Sequence, residues 1–126
     1  MSDAREFLEH LRVLIVDDQP FVRSSIANTL GRLGVGDVVM TADGDQALEV
    51  LKDDAKSVDL VFCDLQMPGR DGIEVLRDLV ELQPDAGVVL MSGEDVEVLH
   101  AADNLAKERG LRVLGSLEKP VSAADI

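Results

Sequence analysis

Short runs rich in Val, Leu and Ile alternate with amphipathic stretches along this 126-residue chain. The runs are RVLIV (12–16), DVVMT (37–41), DLVFC (59–63), GVVLM (87–91) and LRVLG (111–115). They show little polar alternation, the pattern of strands buried on both faces of a parallel sheet. Between them, Val22, Ile26, Leu30 and Leu33 recur at helical spacing. Pro20 suits the first turn of that helix and Gly34 its stop. Ala47, Leu48, Leu51 and Ala55 mark a second helix, and Ile73, Leu76, Leu79 and Val80 a third. The third opens on Asp71-Gly72-Ile73-Glu74, with Asp and Glu at capping-box spacing. A fourth is expected from about 95 to 109 with Gly110 as its stop, and a fifth begins after Pro120.

Five consecutive βα units demand right-handed crossovers and give an open, five-stranded parallel α/β sheet with helices on both faces. Residues 3–10 read as a short extra helix before the first strand, with Ser2 available as its cap. The length suits one domain, residues 1–126, able to bury a core without staples. The closing VSAADI lacks a helix stop, as expected of a domain cut from a longer protein with a C-terminal output domain.

Composition narrows the classes. No apolar run approaches the roughly 20 residues that span a bilayer, and the charged start MSDAREFLEH has no signal-peptide core. Cys63 is alone, which fits a reducing cytoplasm and a small core residue. The net charge of −13, from 12 basic and 25 acidic residues, argues against direct nucleic-acid binding, which needs clustered Lys and Arg. Three Phe and no Trp or Tyr leave little for a base-stacking platform. His10 and His100 lack a ligand-spaced partner and read as surface residues, and Met67 reads as loop packing.

In sheets of this kind, ligands bind beyond the carboxyl ends of the strands. Strand 1 ends at Asp17-Asp18, strand 3 at Asp64, strand 4 at Ser92-Gly93, and strand 5 runs into Lys119-Pro120. Each residue alone has an ordinary explanation, since an Asp after a strand is usually a turn former or helix cap. Turn chemistry explains poorly why acids, a hydroxyl and an ammonium fall together at one edge. Gathered carboxylates repel unless a cation lies between them, and Mg2+ favours oxygen ligands.

With VDD at 16–18, DLQMPGRDG at 64–72, MSG at 91–93 and KP at 119–120, the chain resembles the receiver domain of two-component response regulators over nearly its whole length. The resemblance implies a flavodoxin-like fold with strand order 2-1-3-4-5. It implies that Asp64 is the phosphoacceptor, taking phosphate from a histidine kinase or phosphotransfer protein. Asp17, Asp18, Asp64 and the backbone carbonyl of Gln66 would hold Mg2+. Lys119 would pair with the carboxylate and then the phosphoryl oxygens, and Ser92 would hydrogen-bond the phosphoryl group. Gln66 and Glu94 would tune its lifetime, and the Lys119-Pro120 bond is cis in the family. Such a domain catalyses only its own phosphorylation and dephosphorylation.

The chain departs from the family where an aromatic switch residue is usual on strand 5, because Ser116 stands there. ERGLRVLGSLEKP resembles receivers fused to cyclic-di-GMP phosphodiesterase domains. On the fourth helix, Val98 and Leu105 mark either a homodimer or effector surface or plain core packing. Two other classes compete: a receiver-like interaction module working without phosphorylation, and a Mg2+-dependent aspartyl-phosphate phosphatase. No cap or lid segment is evident for the phosphatase, and DDQPF carries the wrong charge for a flavin phosphate loop.

Overall fold

The computed structural model describes residues 2–53, 55–67, 69, 71–93 and 96–119. The elements are α1 (Ser2–His10), β1 (Arg12–Val16), α2 (Pro20–Leu33), β2 (Asp37–Thr41), α3 (Gly44–Leu51), β3 (Leu60–Asp64), α4 (Gly72–Leu82), β4 (Gly87–Ser92), α5 (Val96–Glu108) and β5 (Arg112–Glu118). All strand pairs are parallel, in the order β2-β1-β3-β4-β5. This is the flavodoxin-like order implied by the family resemblance.

The apolar runs form strands because each residue has a buried face to fill. Along β1, Leu14 and Val16 join the core shared with α3, α4 and α5, whereas Val13 and Ile15 join the smaller core under α2. Val61 and Cys63 of β3 repeat the first orientation and Phe62 the second. Period-two side chains of β1 and β3 thus serve two cores at once, whereas the edge strands β2 and β5 keep exposed positions.

Helix boundaries follow the local chemistry. Pro20 opens α2, and Gly34 closes it at a left-handed φ of 99°. The Asp71 side chain caps α4, accepting from the Glu74 amide at 3.1 Å. Gly110, at φ 85°, follows the end of α5.

Three expectations shift. Ala55 lies beyond α3, whose C-cap is Lys52, because its hydrophobic period outruns the hydrogen-bonded turns. Strand β5 is longer than its apolar run. Val88 pairs with Val113 and Val89 with Gly115, so Leu114 is an extra residue that bulges outward, 63% exposed. Ser2 is the first residue of α1 rather than its cap. The helix expected after Pro120 lies outside the described residues, as does the Lys119-Pro120 bond.

On the α2 side, a groove of about 500 Å³ runs along the sheet, lined in part by Leu33, Phe62, Val89, Leu114 and Leu117. Leu8 of α1 borders one end of it. Helix α1 is fastened there by a close approach: the Gly36 amide donates to the Leu8 carbonyl at 3.0 Å. A Cβ at position 36 would run into the Glu9 backbone carbonyl.

Gly36→Ala should therefore lower stability by about 1–3 kcal/mol through overpacking. Gly31→Ala, in α2 with open space around its Cβ, should raise it by about 0.5–1 kcal/mol through helix propensity. Urea denaturation of both variants tests whether α1 is packed against the domain through Gly36.

Candidate functional site

The strands place their polar ends at one edge. Asp17 follows β1, Asp64 ends β3, Ser92 ends β4 and Lys119 follows β5. Asp17, Asp64 and Ser92 are buried, while Asp18 is exposed. Carboxylate oxygens of Asp17, Asp18 and Asp64 lie within 4.8 Å of one another.

Each group is held by backbone that belongs to the sheet. The Asp17 amide donates to the Thr41 carbonyl at 3.1 Å, and the Thr41 hydroxyl donates to the Ile15 carbonyl at 2.9 Å. The Arg23 guanidinium reaches back from α2 to the Asp17 carbonyl at 2.8 Å. The Gln19 amide donates to Asp17 Oδ1 at 2.8 Å, and the Gln66 amide to Asp64 Oδ1 at 3.1 Å. The Lys119 amide donates to the Ser92 carbonyl at 2.9 Å, joining the ends of β4 and β5. A Cβ on Gly72 would meet the Asp64 carbonyl, so only glycine lets α4 start this close to the acid.

Lys119 Nζ lies 2.7 Å from Asp17 Oδ2 and 3.0 Å from Asp64 Oδ2. Burial favours the neutral amine, but contacts with Asp17 and Asp64 together outweigh it and hold the ammonium pKa above its usual value. Asp64 moves the other way for a carboxylate. Burial, with the neighbouring Asp17 charge, raises it to about 6 against the lowering by the Gln66 amide and Lys119. Burial also pushes the Cys63 thiol far up, with the Asp64, Asp71 and Asp17 charges adding to it, so Cys63 is an inert core residue.

The donor set suits a hard divalent cation. It consists of carboxylate oxygens on rigid strand ends, which such ions prefer. Asp17 Oδ2 is also buried without a hydrogen bond of good direction, and its close neighbour is the Lys119 ammonium. A buried carboxylate oxygen in that condition calls for a positive partner.

The structure thus brings together Asp17, Asp18, Asp64, Ser92 and Lys119, with exposed Gln66 beside them. Glu94 lies outside the described residues. Ser116, in register with Leu90, is exposed and borders the apolar groove. Among the described residues, no aromatic side chain lies on β5. His10 and His100 are exposed, as expected. Val98 and Leu105 are both half-buried. Val98 packs on the main core, and Leu105 helps close a small cleft with Leu76 and Val80 of α4. Thr41, Arg23 and Gln19 were not legible as site residues. Their one sequence signal was Gln19, a poor helix cap standing between two aspartates and a proline.

Fold and site together define an open parallel α/β domain with an acidic cluster and a lysine at its strand ends, and comparison with known proteins gives its family. The response regulator receiver domain family matches residues 13–126, and the chain belongs to it. It is 34% identical over 115 residues to the cyclic di-GMP phosphodiesterase RocR of Pseudomonas aeruginosa. That match covers 91% of this chain and 29% of the relative, so the chain spans under a third of that protein's length. A response regulator from Colwellia psychrerythraea superposes with a TM-score of 0.74 at 32% identity, covering 90% of this chain and 88% of that one. The receiver domain of the histidine kinase CKI1 from Arabidopsis thaliana, complexed with Mg2+ and BeF3-, gives 0.73 at 26% identity, covering 93% and 86%. The chain is a receiver domain of the two-component type.

Without divalent cation, the folded protein holds the Asp64 proton more tightly, at about 6, than the unfolded chain does at 3.8. Stability therefore falls as pH rises through that window and levels off above it. Asp64→Asn escapes this loss. Its stability advantage over the native protein should grow by on the order of 1–2 kcal/mol between about pH 4 and 6.5, read from urea midpoints. A constant difference would contradict a buried, raised carboxyl.

Proposed function

We propose that this domain accepts a phosphoryl group on Asp64 from the phosphohistidine of a histidine kinase or phosphotransfer protein, in a Mg2+-dependent reaction, and signals by conformational change. The observation that carries the reading is the Asp64 carboxylate, buried at a strand end and held by Lys119 beside two further acids. A carboxylate in that setting is aimed and shielded, the two things phosphoryl transfer asks of a protein.

In the step itself, an Asp64 oxygen attacks phosphorus while the P–N bond to the donor imidazole breaks, and the imidazole leaves as the neutral base after taking up a proton. Asp64 must be ionised to attack, and the Lys119 ammonium favours that form. Mg2+, held by Asp17, Asp18, Asp64 and the Gln66 backbone carbonyl, would supply the charge neutralisation that lets the anionic phosphoryl group approach. Lys119 then turns from carboxylate to phosphoryl oxygen, and the Ser92 hydroxyl binds the arriving group. Because the Lys119 amide is bonded to the Ser92 carbonyl, both residues move on one pair of strand ends. Gln66 and Glu94 tune access of water to the acyl phosphate.

The domain turns over no outside substrate and works in the cytoplasm. Its output is a domain or effector protein, with a cyclic-di-GMP phosphodiesterase domain favoured by the RocR likeness. Ser116 favours one alternative, an interaction module that keeps the pocket and signals without phosphorylation. The usual inward swing of an aromatic ring has no ring to move.

Incubation with acetyl phosphate and Mg2+ should add the mass of one phosphoryl group. The gain should vanish in Asp64→Ala and with EDTA. No adduct, alongside calorimetric Mg2+ binding, would favour the phosphorylation-independent module. Steady phosphate release from varied phosphoesters would favour a phosphatase.

A further inference from the structure

Gln19 is the N-cap of α2, with extended backbone (φ −95°, ψ 114°) and no side-chain cap hydrogen bond. Short side chains such as Ser, Thr, Asp and Asn suit that position because they reach the free amides of the first turn. The glutamine side chain is used elsewhere. Its Oε1 accepts from Lys119 Nζ at 3.4 Å, a link across 100 residues of sequence between the ends of β1 and β5.

The backbone of Gln19 is well fixed for such a task. Its amide donates to Asp17 Oδ1 at 2.8 Å, and its carbonyl accepts the Arg23 amide at 3.1 Å. Pro20 follows directly and restricts the chain on the helix side. The amide group is therefore presented from a rigid point.

An ammonium carries three N–H groups. Three side-chain oxygens surround that of Lys119: Asp17 Oδ2 at 2.7 Å, Asp64 Oδ2 at 3.0 Å and Gln19 Oε1 at 3.4 Å. Resting on the phosphoacceptor reading, we propose that Gln19 is the positioning residue for Lys119, holding its ammonium toward the phosphoryl site while both carboxylates change partners. Asp64 loses its free carboxylate on becoming an acyl phosphate, and Asp17 belongs to the acid cluster that a cation would share. The amide oxygen of Gln19 undergoes neither change. Its neutrality also matters, since a glutamate here would add a fourth carboxylate to a site already crowded with negative charge.

The test uses Gln19→Met, which keeps side-chain length at an exposed position and removes the acceptor. Two readouts are compared with the native protein. One is the rate of Asp64 phosphorylation by acetyl phosphate at saturating Mg2+. The other is the proton–nitrogen resonance of the Lys119 ammonium without phosphodonor, assigned by its loss in Lys119→Met. A structural role alone would not move this resonance if the thermal midpoint and Mg2+ titration stay in place.

The expected result is a broadened or shifted Lys119 resonance and phosphorylation slowed about three- to ten-fold, as for loss of one hydrogen bond of ordinary net strength at an exposed site. Unchanged rate and resonance would overturn the proposal while leaving Asp64 as phosphoacceptor. A changed resonance with an unchanged rate would also overturn it, limiting Gln19 to the resting state. A native protein that takes no phosphoryl group would overturn the phosphoacceptor reading, and the positioning role with it.

Discussion

The contact of Lys119 with both Asp17 and Asp64 is the interaction on which the arrangement depends. Two buried carboxylates stand at neighbouring strand ends with a third, exposed one beside them. Unbalanced, they would repel strongly in a low-dielectric setting. One ammonium between the two buried acids offsets much of that repulsion but leaves the cluster negative. Burial first, and the remaining Asp17 charge with it, holds the Asp64 pKa above its usual value. The site is thus built to receive positive charge, and its resting state is held by a lysine that must later turn elsewhere.

The sheet makes such a cluster tolerable. Strands β1 and β3 are buried on both faces nearly throughout, so their terminal carboxylates start from backbone with little freedom. Gly72 lets α4 approach the Asp64 backbone, and Asp71 closes the first turn of that helix. The β4 and β5 ends are tied by the Lys119–Ser92 backbone bond. Two stacked cores supply the rigidity, and the polar edge uses it. An arrangement that places like charges together survives because the apolar strands cannot yield.

The two sides of the sheet differ. The side covered by α3, α4 and α5 holds the larger core, with half-buried Val98 packed against it and half-buried Leu105 lining a small cleft beside α4. The α2 side carries the smaller core and the apolar groove, bordered by Ser116 and by Leu114 at its bulge. Strand β5 thus carries an exposed serine at position 116 and an irregular register just before it, between Val113 and Gly115.

Much was legible in the amino-acid order because it depends on local physics. Strand runs without polar alternation, proline at a helix start and glycine at two helix stops dictated the five strands and the helices between them. The four site positions followed, since chain order alone puts strand ends on one edge of a parallel sheet. Other features needed distant parts of the chain to meet. The bulge at Leu114 depends on how β5 sits against β4, and the partial cover of Leu105 on the placement of α4. Thr41 and Arg23 carry no local mark of their roles, because each acts through a partner set by tertiary packing. The sequence by itself determined which chemical groups reach the edge. Only the tertiary structure decided how they share charge, because the separation of Lys119 from Asp17 and Asp64 depends on strand register rather than on any local motif.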